Sequence, residues 1–254
     1  MHPILIKLGS FSIYSYGFMV ALGFLAGIGV SLRLAKQAGI KSETIIDLAL
    51  YVIIAAIVGA RFFYVVGQWN FYRGNLLEII MIQRGGMVFL GGLIFALAAV
   101  VYFASAKQVP LRRLFDAITP GTALGYAIGR LGCFLNGCCF GLPTDRPWGL
   151  VFPSDCLAGS YFPDQHLHPT QLYSSALILL AFAFLLFLYY RKKFPGQVFF
   201  TGLILYSLYR FSVEFLRYSP IHWAGLTPSQ WIVIPVIAFS CFYLWYYSNH
   251  DRSA

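Results

Sequence analysis

The chain has 254 residues, 59% hydrophobic and only 11% charged, with a mean hydropathy of +0.72. Soluble domains carry about 25% charged residues, so this chain lacks the polar side chains to cover a soluble surface and is too apolar for disorder. The formal net charge of +9 does not mark nucleic-acid binding, because the basic residues sit at the ends of apolar runs and form no interleaved patch.

A span needs about 20 apolar residues, so seven would use roughly 140 and leave short loops. The N-terminal run continues too far past Lys7, with no small-residue cleavage site, to be a cleaved signal peptide. Apolar windows predict spans from about Phe11 to Leu34, Asp47 to Trp69, Gly86 to Ser105 and Leu114 to Leu135. Three more follow, from about Pro169 to Tyr190, Gln197 to Arg217 and Pro228 to Tyr247. The expected fold is therefore an all-α polytopic membrane protein forming a single transmembrane domain over 1–254.

Alternate loops carry Arg33, Lys36 and Lys41, then Lys107, Arg112 and Arg113, then Arg191, Lys192 and Lys193, with Arg252 on the tail. The opposite side carries Lys7, Arg73, Arg84, Arg146 and Arg217. Ten against five predicts an outer N-terminus and a cytoplasmic C-terminus. The longest connection, 136–168, is then an extracytoplasmic insertion, and connections of this length are commonly functional. A shorter extracytoplasmic segment, 70–85, contains a stretch from Asn75 that could lie as an interfacial helix.

Arg61, Arg130 and Arg210 fall inside apolar spans. A central arginine costs about 2.5–3.5 kcal/mol to insert, so each either snorkels to the headgroups or marks a site. Tyr206, Arg210, Glu214 and Arg217 are spaced as one helical stripe. Glu214 can pair with both flanking arginines, leaving one net positive charge on that face. Such a stripe is either an ion-pair staple between helices or a phosphate site, since guanidinium groups bind phosphate oxygens bidentately.

Gly121, Gly125 and Gly129 repeat every four residues, a face suited to close backbone approach. Arg130 follows, then a stretch from Gly132 to Gly141 in which Gly137 and Gly141 should break the helix. Freed N–H groups beside an arginine make an anion site. Cys133, Cys138 and Cys139 lack the paired spacing of a zinc site. They are read as buried thiols, as one half of a disulfide from Cys138 or Cys139 to Cys156, or as a nucleophile. His168 precedes Pro169, which suits a first helical turn. It is either a cap or surface group, or a base. No metal and no cofactor is expected.

These motifs resemble the prolipoprotein diacylglyceryl transferases of bacterial inner membranes, over nearly the whole chain. The similarity runs through Tyr14-Ser-Tyr16-Gly-Phe-Met, Gly59-Ala-Arg61-Phe-Phe-Tyr64, Gly85 through Leu93, Asp116, Gly129-Arg130-Leu-Gly, His168 through Tyr173, and Tyr206 through Arg217. The resemblance implies seven helices with the N-terminus outside, and a multi-pass protein of the cytoplasmic (inner) membrane. It implies transfer of the diacylglyceryl group of phosphatidylglycerol to the lipobox cysteine of a preprolipoprotein, releasing glycerol 1-phosphate. Implied phosphatidylglycerol-binding residues are Arg130, Asn136, Gly141, Tyr16 and Arg217. Catalysis would fall to Arg130, Arg210, Glu214 and Tyr206, with His168 a candidate base.

Three positions depart from the family pattern. Asparagine is usual where this chain has Cys133, glutamate where it has Cys138, and histidine where it has Leu90. Leucine accepts no proton, so no imidazole acts from that position here. The rival readings are a phospholipid-dependent transferase with another acceptor, and a non-catalytic anion- or lipid-binding protein or transporter.

Overall fold

The structure, a computed structural model, describes residues 3–8, 11–82 and 85–250. Arg84 and Arg252 of the charge count lie outside the described residues. Two short antiparallel strands open the chain, β1 (Ile4–Leu8) and β2 (Phe11–Tyr14), with Lys7 opposite Ser12. They were not anticipated, and they delay the first helix, α1 (Ser15–Gln37), by several residues relative to the predicted span. Helix α1 ends where Gly39 turns left-handed (φ 73°), with Ile40 N–H bonded to Ala35 C=O and Gly39 N–H to Lys36 C=O, a glycine-terminated C-cap.

Next come α2 (Ser42–Gly67), a single turn α3 (Trp69–Tyr72) and a 3-10 turn over Leu76–Ile80. That turn stands where the interfacial helix was expected, and Leu76, Leu77 and Ile80 are exposed. Helices α4 (Phe89–Ala106) and α5 (Leu111–Leu135) follow. The insertion folds as β3 (Leu150–Val151), a short α6 (Leu157–Tyr161) and β4 (His166–Leu167), with β3 and β4 paired antiparallel. Helices α7 (Thr170–Arg191), α8 (Gln197–Glu214) and α9 (Pro228–His250) complete the chain.

Among the described residues, five helices are long and apolar enough to cross a membrane: α1, α2, α4, α7 and α9. The other two predicted spans are helical but fall short of that criterion. Helix α5 carries Arg112, Arg113, Asp116, Pro120 and Arg130, and α8 carries Arg210 and Glu214.

The chain packs as two compact units, 32–114 and 1–31 with 115–254. In the first, Gly59 of α2 and Gly91 of α4 let the two backbones touch: a Cβ on either would stand 2.5 Å from the other's carbonyl oxygen. Arg61 is buried there. It donates from Nε to Ile79 C=O at 2.8 Å, from Nη1 to Gly85 C=O at 2.6 Å and from Nη2 to Glu78 C=O at 2.6 Å. This guanidinium therefore organises the segment after α3. In the second unit, Gly23 and Gly27 of α1 meet Gly125 and Gly121 of α5 at similar range, whereas a Cβ on Gly129 would meet nothing within 4 Å. Two of the three periodic glycines are packing residues and the third is not.

Asp116 is fully buried. Its carboxylate accepts from the N–H of Gly196 (2.9 Å) and Phe199 (3.0 Å) and pairs with Lys192 at 3.3 Å. A carboxylate there caps α8 and lies at the positive end of its dipole. Asp116 is thus an architectural residue that sets where α8 begins.

Candidate active site

The predicted site residues all lie in the unit 1–31 with 115–254. Helix α5 ends at Leu135 because Gly137 adopts a left-handed φ of 66°. Cys138 N–H bonds Cys133 C=O and Gly137 N–H bonds Phe134 C=O, each at 3.1 Å, the two bonds of a Schellman cap. Gly137 also lies against Cys156, whose thiol donates to Pro153 C=O at 3.1 Å. All five cysteines are free, so the disulfide reading of Cys156 is not realised.

Beyond this cap the chain runs into the closest backbone packing of the site. Gly141 N–H donates to His168 C=O (3.0 Å), His168 N–H to Leu142 C=O (3.0 Å), Leu142 N–H to Leu216 C=O (2.8 Å) and Tyr218 N–H to Phe140 C=O (3.2 Å). Gly141 and Arg217 form an antiparallel bridge. A Cβ at Gly141 would stand 2.6 Å from His168 Cβ and from Leu216 O. Only glycine lets these three segments meet, and the meeting brings Gly141, His168 and Arg217 together. His168 Nδ1 lies 3.2 Å from the Tyr173 hydroxyl.

Helix α8 stops at Glu214, so Arg217 sits in the turn beyond it and the predicted four-residue helical stripe covers only Tyr206, Arg210 and Glu214. Arg217 still reaches back. Glu214 Oε2 lies 2.9 Å from Arg210 and 3.6 Å from Arg217. Glu214 is 4% exposed, and loss of one partner from such a buried carboxylate typically costs about 3–5 kcal/mol. Arg210 also donates to Ser229 Oγ of α9 at 2.9 Å. Arg217 Nε is buried with no hydrogen-bond partner among the described residues.

Arg130 donates through Nη2 to the Tyr126 hydroxyl, one turn earlier on α5, and its guanidinium lies 4.6 Å from that ring's centre. The Tyr126 hydroxyl is 3.1 Å from that of Tyr209. The rings of Tyr126, Tyr206 and Tyr209 pack edge to face with centroids 5.7–6.2 Å apart. Tyr126 and Tyr209 were missed in the sequence. The signal was there in outline, since Tyr126 is one turn before Arg130 and Tyr209 precedes Arg210.

Thr170 Oγ1 donates to Cys139 C=O (2.8 Å) and Gln171 Nε2 to Cys138 C=O (2.7 Å), so the first turn of α7 clamps the cysteine turn. The sulfurs of Cys133, Cys138 and Cys139 lie within 4.8 Å of one another, a cluster that linear spacing did not reveal. The Cys138 thiol donates to Cys133 C=O at 3.7 Å, and the neighbouring thiols, then the charges of Arg217 and Arg130, hold the Cys139 thiol below the ordinary thiol range against the effect of burial. Asn136 acts on the Cys138 thiol. The Tyr16 hydroxyl, on α1, is within electrostatic reach of all three thiols and of Arg130. Leu90 lies in α4, in the other unit, and is half exposed.

Helix α8 and the turn after it link the two sets, Tyr209 meeting the Arg130–Tyr126 pair and Arg210 and Arg217 meeting Glu214, and guanidinium groups with an unpartnered N–H are donors suited to an anion. The described residues around Arg130 and Arg217 are fixed by turns that only small or specific residues permit. The chain matches the prolipoprotein diacylglyceryl transferase family over residues 3–246. It is 38% identical to a phosphatidylglycerol–prolipoprotein diacylglyceryl transferase of Synechococcus elongatus, covering 93% of this chain and 84% of that protein. A protein of that name from Finegoldia magna is 37% identical (87% and 86% covered), and one from Nostoc sp. 35% identical (93% and 86%). With the match extending across nearly every element just described, the chain belongs to the prolipoprotein diacylglyceryl transferase family.

Proposed function

We propose that this chain transfers the diacylglyceryl group of phosphatidylglycerol to the thiol of the lipobox cysteine of a preprolipoprotein. The observation that carries the proposal is the buried Glu214 carboxylate held between Arg210 and Arg217, on the same helix α8 whose Tyr209 meets the Arg130–Tyr126 pair. The acceptor sulfur forms a bond to the glyceryl carbon, the carbon–oxygen bond to phosphate breaks, and glycerol 1-phosphate departs. Phosphate leaves well only when its charge is compensated, and preorganised donors do this without reorganising; removing one typically costs about 10²–10³ in rate.

Arg130 and Arg210 stabilise the leaving phosphate, and Arg217 with Tyr16, Asn136 and the Gly141 turn binds the headgroup. Glu214 orients the two arginines it touches, and Tyr206 packs the wall of the cavity. The acceptor's proton leaves to Glu214, to His168 or to an external base. Comparing pH–rate profiles of Glu214→Gln and His168→Gln separates them.

The topology that goes with this reading has seven membrane passes in one transmembrane domain over 1–254 of a bacterial inner-membrane protein. The N-terminus and the segments 70–85 and 136–168 are extracytoplasmic. Helices α5 and α8 complete the seven, with Asp116, Arg130, Arg210 and Glu214 facing the bundle interior. Leu90, Cys133 and Cys138 favour one second reading, the same lipid chemistry on a different acceptor. Mass spectrometry of a lipobox peptide incubated with the purified protein and phosphatidylglycerol tests the proposal. A diacylglyceryl increment that Arg210→Ala reduces at least about 10²-fold supports it. Full transfer by Arg210→Ala refutes the assignment, and lipid binding without transfer to that peptide refutes the acceptor.

A further inference from the structure

Three thiols, those of Cys133, Cys138 and Cys139, belong to no step of the proposed transfer. The backbone nevertheless bends to collect them. The Schellman end of α5 requires one left-handed residue, Gly137, but Cys139 is left-handed as well, with φ 59°. A residue with a side chain held there is strained and persists only where its surroundings enforce it. The enforcement is visible in the bonds from Thr170 and Gln171 to the carbonyls of Cys139 and Cys138 and in the bond from Cys138 N–H to Cys133 C=O. Their effect is to aim residues 138 and 139 back at the last turn of α5, where the three sulfurs converge within 4.8 Å.

We propose that Cys133, Cys138 and Cys139 form a three-thiolate site for a soft d10 cation of the zinc class. The dimensions fit: metal–sulfur bonds of about 2.3 Å place three ligand sulfurs roughly 3.8–4.0 Å apart. The sulfurs therefore close on the ion by movements of under about 1 Å, within the reach of χ1 adjustments. The donor set selects the ion. The converging ligands are all sulfur, whereas magnesium and calcium require oxygen, and thiolates favour zinc and cuprous ions.

Binding releases the thiol protons to solvent, with no change in oxidation state, so no oxidant or reductant is involved. A disulfide would use two of the sulfurs and leave the third unexplained. The metal site uses all three.

The test takes the full-length protein, reduced and stripped of metal in detergent micelles, and titrates it with Cd²⁺ under anaerobic conditions. The expected result is sulfur-to-cadmium charge-transfer absorption saturating at one equivalent per chain, displaced by Zn²⁺. Cys133→Ser, Cys138→Ser and Cys139→Ser should each lower the absorption by one ligand's share and weaken affinity at least ~10-fold, the lower end of what even an outer partner of a metal ligand is worth. Cys156→Ser and Cys241→Ser should leave both unchanged. X-ray absorption at the cadmium edge counts sulfur neighbours in the unaltered protein, so the proposal stands or falls even if a variant misfolds. Three sulfurs support it. Two or fewer, no stoichiometric absorption, or absorption that depends on Cys156 or Cys241 would overturn it. None of these readouts involves lipid transfer, so the metal site and the proposed activity can fail separately.

Discussion

Replacing Gly141 with alanine puts a methyl group where no flexible atom can give way. The added Cβ would lie 2.6 Å from Leu216 O and from His168 Cβ, and 2.7 Å from His168 O. To restore ordinary contact the segments must part by about 0.8 Å. Overpacking of this kind costs about 1–3 kcal/mol. Parting the strands instead loses two hydrogen bonds among Gly141–His168, Leu142–Leu216 and Tyr218–Phe140, at about 0.5–1.5 kcal/mol each. These are alternatives, since separation relieves the clash, so the cost stays near 1–3 kcal/mol, about what a folded domain tolerates.

The effect on activity should be larger. Arg217 is the bridge partner of Gly141 and moves with it, and a displacement near 1 Å at a positioned group costs about 10²-fold in rate. The expectation for Gly141→Ala is a protein that still elutes as folded from detergent but transfers diacylglyceryl to a lipobox peptide about 10²-fold more slowly. Gly129→Ala is the control. Its Cβ meets nothing within 4 Å, and alanine in a helix gains about 0.5–1 kcal/mol over glycine. If Gly141→Ala transferred within about threefold of the unaltered rate, the backbone bridge would not be what positions Arg217.

Asp116→Ala removes the α8 cap, worth about 0.5–2 kcal/mol, and an ion pair to the partly exposed Lys192 worth up to about 1 kcal/mol. Thermal unfolding in micelles should show a loss of about 0.5–3 kcal/mol, and a loss below that range would mean that α8 needs no cap. Tyr209→Phe deletes the hydroxyl 3.1 Å from Tyr126. It should cost about 0.5–1.5 kcal/mol and slow transfer through Arg130 while leaving the peptide's KM unchanged. A change in KM alone would place Tyr209 on the acceptor side. Arg61→Ala frees the carbonyls of Glu78, Ile79 and Gly85, with charged hydrogen bonds worth about 1.5–3 kcal/mol each. Limited proteolysis should then cut between α3 and α4 much faster, and an unchanged cleavage rate would show that Arg61 does not hold that segment.

Much of this architecture was legible in the linear chain. Apolar windows located α1, α2, α4, α5, α7, α8 and α9 within a few residues, because a helix is local and satisfies its own backbone. The glycine at 137 announced the end of α5, since a left-handed C-cap is a local requirement. The arginines stood out because a charge in an apolar run has few uses. The short strands at the N-terminus were not visible, since pairing of so few residues leaves only a weak alternating pattern beside a long apolar run.

The sequence by itself determined the apolar helices and the family, because hydropathy and motif order are properties of the chain read one stretch at a time. Only the tertiary structure decided which of those residues meet. Gly141 bridges Arg217, Asp116 caps a helix that begins far downstream, Tyr209 reaches Tyr126, and three cysteines with no recognisable spacing converge. These pairings depend on how closely backbones approach, and that is set by atoms missing from glycines and by turns closed from other elements. No periodicity along a single helix contains that information.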